Sequence, residues 1–115
     1  MSESIRFQLL VAIVPQGTSS VLVTAAKAAG AEGATILRGR GTGLHEGSKF
    51  LGIPIEPEKD VVLVLVPRDE AESVLASTVD AGDLDHPGKG IVFLLDVPHV
   101  AGIVHRGEVL RRDDA

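Results

Sequence analysis

Two short stretches hold the residue types that could bind an anion. Gly33-Ala34-Thr35-Ile36-Leu37-Arg38-Gly39-Arg40-Gly41-Thr42-Gly43 is an apolar run that dissolves into glycines carrying two arginines, and Gly88-Lys89-Gly90 sets a lysine between two glycines. Glycine lets a ligand reach backbone N–H groups that a side chain would screen, and a guanidinium or ammonium beside those groups favours phosphate or carboxylate. Composition alone suits a ligand loop and a plain turn equally at both places.

Other motifs fail on spacing. In Gly39-Arg40-Gly41-Thr42-Gly43 the third glycine comes one residue too early for a dinucleotide fingerprint, and no apolar-periodic helix follows. Gly82 to Lys89 has five residues between Gly82 and Gly88 where a phosphate-binding loop has four; Gly90 stands where Ser or Thr would hold magnesium, and an apolar strand pattern follows. His45, His86, His99 and His105 show no helical ligand spacing, so they read as solvated loop residues and no metal site is expected, His45-Glu46 included. No serine lies in a nucleophile elbow. Asp83 with Asp85, Glu56 with Glu58, and Asp113 with Asp114 read as turn-forming and solubilising pairs, so no catalytic residue is expected.

Bulk properties narrow the class. The 115 residues make one domain; 44% are hydrophobic but only 3% aromatic, so the core must be aliphatic. A formal net charge of -5 argues against nucleic acid, whose phosphates need a basic field. There is no cysteine, hence no disulfide or thiolate chemistry. No run approaches the roughly 18 to 20 apolar residues of a membrane span, and the first residues lack the order of a signal peptide, so a soluble cytoplasmic protein is expected.

The elements that must carry the two stretches follow from periodicity. Ile5 to Val14 alternates as a strand and turns apolar on both faces in its far half. Pro15-Gln16-Gly17 breaks it, Thr18 or Ser19 can cap a helix with Val21, Leu22, Ala25, Ala26 and Ala29 at helical spacing, and Gly30 ends that helix. Thr35 to Arg40 is a second strand. Gly41 to Asp60 reads as a long loop with a turn near His45 to Phe50, Val61 to Val66 as a strand buried on both sides, and Asp69 with Glu72 as the capping pair of a second helix whose inner face is Val74, Leu75, Thr78 and Val79. Gly82 closes that helix, and Ile91 to Val97 is a fourth strand. Val100 to Val104 is ambiguous, and 107–115 reads as a flexible tail.

Strand, helix, strand, strand, helix, strand is the ferredoxin-like βαββαβ order, an α+β fold with an antiparallel four-stranded sheet. Two helices cover one face. The other face is also aliphatic, which predicts burial against further copies of the chain. The second and fourth strands are edges in this order, so the two glycine-rich stretches lie on opposite sides of one subunit. One ligand touching both then requires two subunits.

Gly33-Ala-Thr-Ile-Leu-Arg-Gly-Arg-Gly41, Pro57-Glu-Lys-Asp-Val-Val-Leu-Val-Leu-Val66 and Pro87-Gly-Lys-Gly-Ile-Val-Phe93 resemble the corresponding blocks of the nitrogen regulatory P-II family, closest to its diverse P-II-like branch, over residues 5 to 105. The resemblance implies a homotrimer with adenine nucleotide (AMP, ADP or ATP) in inter-subunit clefts. It also implies a mobile T-loop, residues 41–60, that reports occupancy to a target protein, a membrane transporter being one class of target. Thr35, Arg38, Gly39 and Gly41 would form the wall and base of the T-loop, and Gly88 and Lys89, with Gly90, the phosphate contact. Departures matter too. There is no tyrosine to uridylylate, Gly43 stands for a usual glutamine, and Glu58 after Pro57 stands for a usual lysine, which argues against 2-oxoglutarate. Ala101, Gly102 and Val104 replace expected arginines; Arg106 could compensate, or the ligand carries fewer phosphates. Arg40 with the amides of Gly41 to Gly43 could take bicarbonate. The rival expectations are a metal-tolerance trimer of the CutA type and a small ferredoxin-fold enzyme.

Overall fold

The computed structural model describes residues 6–41, 49–50, 53–54, 57–105 and 108–110. Strands β1 (Phe7–Pro15), β2 (Thr35–Arg40), β5 (Glu58–Pro67) and β6 (Ile91–Val97) form one antiparallel sheet in the order β2-β5-β1-β6, with helices α1 (Ser19–Ala28) and α2 (Arg68–Gly82) in the crossovers. Short strands β3 (Lys49–Phe50) and β4 (Ile53–Pro54) pair with each other, as do β7 (Gly102–His105) and β8 (Glu108–Leu110). The ferredoxin-like order expected from the sequence is the order observed, with the first and third long strands in the middle.

Register assigns the two faces. Leu10 lies opposite Val64 and Leu94, and Ala12 opposite Val62 and Val92. This parity, with Val14 and Val66, packs under the helices against Leu22, Ala26, Ala71 and Val74, all of them buried. Removing an aliphatic side chain of that size from water contributes about 1.5 to 3 kcal/mol, so this layer dominates the stability of the subunit. The other parity stacks Leu9 beside Leu65 and Leu95, Val11 beside Leu63 and Phe93, and Ile13 beside Val61 and Ile91. Among the described residues no helix covers it: Leu37, Ile91, Phe93 and Leu95 are 36% to 56% exposed.

Several boundaries differ from the sequence reading, each for a local reason. Strand β5 starts at Glu58, so Glu58, Lys59 and Asp60 belong to the sheet and not to the loop; Lys59 and Asp60 are buried, and the partners that hold Asp60 are described below. Within the expected loop, Lys49–Phe50 is extended and paired, not a turn, and Glu108–Leu110 is likewise paired where a flexible tail was expected. Helix α2 starts at Arg68, directly after Pro67, with no side-chain cap, so Asp69 sits inside the first turn where its charge favours the helix N-terminus. Gly82 does not terminate α2 as a flexible residue. It is buried in the last turn, and a Cβ there would fall 2.8 Å from Leu22 and 3.1 Å from Leu84, so glycine is what lets α1 approach. The left-handed cap is Asp83 instead. Gly30, by contrast, does end α1 as expected: its N–H donates to Lys27 O and that of Ala31 to Ala26 O, the paired bonds of a Schellman ending.

Gly90, just before β6, is the most closely hemmed of the described glycines. Its φ is +120°, and a Cβ would meet the carbonyl oxygen of Ile13 at 2.5 Å and the Cα of Val14 at 3.0 Å, both main-chain atoms that cannot swing aside. Gly90→Ala is expected to lower the free energy of unfolding by about 2 to 3 kcal/mol, combining a disfavoured φ with overpacking. Urea denaturation checks this, and a loss below about 0.5 kcal/mol would show that the strand can shift to make room.

Candidate functional site

Strands β1 and β2 run in the same direction and β5 and β6 in the opposite one, so four segments meet at one end of the sheet. These are the Pro15-Gln16-Gly17 turn, the end of β2 at Arg40-Gly41, the start of β5 at Pro57-Glu58, and Gly88-Lys89-Gly90 before β6. The two stretches singled out by their chemistry therefore share an end while occupying opposite edges, three strand spacings or about 14 Å apart. Thr35 is not brought to this end: it opens β2 six residues before Gly41, roughly 20 Å away along an extended chain, and faces the uncovered side opposite Leu63. Arg40 is exposed opposite Glu58 at the loop mouth. Gly43 and Arg106 lie outside the described residues, as do His45 and Glu46.

The glycines of the two stretches differ in what requires them. Gly88 has φ +80° and Gly90 φ +120°, values that β-carbon residues avoid, so the turn itself demands both. Gly39 and Gly41 have no positive φ. A Cβ at Gly39 would touch only Val61, at an ordinary 3.8 Å, and one at Gly41 would meet nothing within 4 Å. Among the described residues nothing calls for glycine at these two positions.

The polar centre of this end is Asp60. Only 2% exposed, it lies opposite Val14 on β1 and Arg38 on β2. Its Oδ2 accepts the N–H of Gly17 at 2.9 Å and that of Ser19 at 3.4 Å, so β5 caps α1 from a distance of 41 residues. Thr18, the N-cap residue, makes no side-chain cap bond. The other oxygen, Oδ1, has no hydrogen bond but lies 3.2 Å from Nε of Arg38, an ion-pair contact without hydrogen-bond alignment. Burial by itself raises the Asp60 pKa; the hydrogen bonds from Gly17 and Ser19 and the charge of Arg38 outweigh it and hold the carboxyl below its ordinary value.

Arg38 is thus tied inward by its Nε, while the side chain as a whole stays 65% exposed. Its Nη1 donates to the side-chain oxygen of Gln16 at 2.6 Å and stands 3.9 Å from Oε2 of Glu58, which accepts the Gln16 amide N–H at 3.1 Å. This places the Gln16 amide in the one orientation that satisfies both neighbours. Below the cluster, Gly41 N–H donates to Pro57 O at 3.3 Å, closing the base of the 41–57 segment. Sequence reasoning singled out Arg38 but missed Gln16, Glu58 and Asp60 as its partners, because these contacts span 20 to 22 residues and no local pattern encodes them.

On the other edge Lys89 is exposed in two consecutive turns, with His86 N–H donating to Asp83 O at 3.1 Å and Lys89 N–H to His86 O at 3.4 Å. His86 is not merely solvated: its Nδ1 is 2.6 Å from Oδ1 of Asp83, which fixes the ring over the turn. Among the described residues no group of three or more His, Asp or Glu side chains could hold a metal ion, and no helix is long and apolar enough to cross a membrane.

The family model for nitrogen regulatory protein P-II matches residues 7–108. Two solved structures superpose on nearly the whole chain. PII of Arabidopsis thaliana bound to citrate has 24% identity and a TM-score of 0.66, covering 90% of this chain and 84% of that one. GlnK of B. subtilis, solved as an ATP complex, has 16% identity and a TM-score of 0.68, covering 90% and 91%. At these identities the superpositions establish the fold. No curated protein matches the sequence significantly.

Because the folded pKa of Asp60 lies below the unfolded value, its charge stabilises the fold at neutral pH, and that contribution is lost as pH falls through the folded pKa. Asp60→Asn is expected to cost about 1 to 3 kcal/mol at pH 7, with the gap to wild type shrinking progressively below about pH 4. Urea unfolding at a series of pH values measures this; a pH-independent gap would assign the loss to packing and not to charge.

Proposed function

The chain belongs to the nitrogen regulatory P-II family, a family of regulatory proteins, and from that membership we propose that it is a non-enzymatic trimeric sensor binding an adenine nucleotide or another small anion between subunits. The observation that carries this reading is the pairing of Gly39 and Gly41 with Arg38 and Arg40 on one edge and Gly88, Lys89 and Gly90 on the other, at the same end of the sheet. A single subunit holds the two about 14 Å apart, so juxtaposition of the β2 edge of one copy with the β6 edge of the next brings both onto one ligand. Glycines at 39 and 41, which no dihedral angle or contact among the described residues requires, fit close approach of a ligand or of a neighbouring chain.

The uncovered aliphatic face supplies the reason to assemble. Leu9, Ile13, Val61, Leu63, Leu65, Ile91, Phe93 and Leu95 form a contiguous apolar surface over the three strands β5, β1 and β6. Around a threefold axis three such faces bury one another and set the sheet edges of adjacent subunits side by side. The solved relatives carry anions of two kinds, a polycarboxylate in one and a polyphosphate nucleotide in the other, which supports an anionic ligand for this fold. AMP or ADP is favoured here over ATP, since Ala101 and Gly102 supply no guanidinium. Occupancy is read out by the 41–57 segment, whose two ends are joined by the Gly41 N–H to Pro57 O bond and can be ordered or released by a small change in free energy. The target is a protein that recognises this segment, a membrane transporter being one candidate. Bicarbonate, through Arg40 and the Gly41 amide, is the second anion to test. The metal-tolerance and enzyme readings have no observation in their favour.

Lys89→Ala is expected to weaken ADP binding about tenfold or more while leaving thermal unfolding within a degree or two of wild type, as befits an exposed residue. Calorimetric titration checks the first, and equal affinity would remove Lys89 from the site. Light scattering is expected to return the mass of three 12.0 kDa chains. A stable monomer at micromolar concentration would contradict burial of the open face.

A further inference from the structure

Arg38 holds two carboxylates on unequal terms. The contact with Asp60 is short and sheltered, at 3.2 Å to an oxygen whose side chain is 3% exposed, whereas Glu58 stands 3.9 Å away with its side chain 54% exposed. A separation of 3.9 Å is too long for a direct hydrogen bond, and an exposed pair at that range contributes little. The outward edge of the guanidinium is therefore partnered but not saturated. Gln16 completes the arrangement by donating its amide N–H to the same Glu58 oxygen that faces Arg38 Nη1. The Gln16 oxygen in turn accepts from Arg38 Nη1 at 2.6 Å, so Arg38 and Gln16 set a guanidinium and an amide N–H beside one exposed carboxylate at the mouth of the 41–57 segment.

We propose that Glu58 is a resident anion on Arg38, a tethered competitor that an incoming phosphate or carboxylate must displace. The inference rests on the anion-site reading above and adds how that site is restrained when empty. Asp60 keeps Arg38 in place throughout, since its bond network is buried and charged. Glu58 is the first residue of β5 and adjoins Pro57, whose carbonyl closes the loop base with Gly41 N–H. Displacing Glu58 thus disturbs the residue next to the Gly41–Pro57 hydrogen bond. An anion arriving at Arg38 trades a loose 3.9 Å contact for charge-assisted bonds at full strength, and its gain is reduced by whatever repulsion Glu58 still exerts.

Glu58→Gln tests this, because glutamine keeps an oxygen for the Gln16 amide and removes only the charge. Two probes are used on the full chain at low ionic strength, where exposed charges are least screened. ADP is followed by calorimetry, and inorganic phosphate by the Nε–Hε resonance of Arg38 in 15N spectra. The variant is expected to bind each probe about three- to tenfold more tightly than wild type, with the calorimetric gain for ADP abolished in an Arg38→Gln background. Equal or weaker response to phosphate in Glu58→Gln overturns the competitor role, whatever ADP does. A phosphate gain without ADP binding to either protein upholds the competitor role and overturns the nucleotide reading. Circular dichroism of the variant, expected to match wild type, separates both from misfolding.

Discussion

One buried carboxylate organises the end of the molecule where function is placed. Asp60 costs free energy to desolvate, and it is tolerated because Gly17, Ser19 and Arg38 surround it with two N–H donors and a positive charge. Hydrogen bonds to a charged group are worth about 1.5 to 3 kcal/mol, several times an exposed ion pair. That difference ranks the contacts: the start of α1, the turn after β1 and the position of Arg38 are set together by Asp60, while Glu58 and Gln16 occupy what remains. Rigid support beneath an adjustable rim is what a binding site at the edge of a sheet needs.

Much of the architecture was legible from pattern. Alternation in β1, the aliphatic run of β5 and the Gly/Pro breaks around them defined four long strands and two helices in the right order, and Gly30 marked a helix end through the conformation it adopts. The errors cluster where local chemistry and tertiary context disagree. Glu58-Lys59-Asp60 reads as loop because charged residues avoid sheet interiors, yet Lys59 and Asp60 are buried. Gly82 reads as a helix stop, yet its role is to admit Leu22, a residue sixty positions away. The helix α1 lacks the side-chain cap sought at Thr18 and Ser19 because a carboxylate from another strand does that work. Short pairings such as β3 with β4 have too few residues to show any period.

The site was legible in its ingredients and not in its wiring. Arg38, Gly41 and Lys89 stand out by type and by flanking glycines, and the topology sets their segments at a common end. Their meaning differs once the backbone is seen. Gly88 and Gly90 are explained by dihedral angle alone, whereas no dihedral angle or close contact among the described residues accounts for Gly39 and Gly41. Thr35, grouped with them by the family resemblance, stands at the opposite end of β2 from Gly41.

The strand β1 raises a problem of alignment. Sliding a strand by one residue exchanges its two faces, and in most sheets the exposure of greasy side chains forbids this. Here Leu9, Val11 and Ile13 are as oily as Leu10, Ala12 and Val14, so the slip carries almost no solvation penalty of its own. Discrimination must come from isolated points that fit in one setting only: Gly90 seated against the Ile13 carbonyl, and Asp60 reaching the turn at Gly17. A chain with a sheet of this kind keeps its alignment by a few pins and not by the bulk of its interior, which makes those pins the places where folding errors would be admitted.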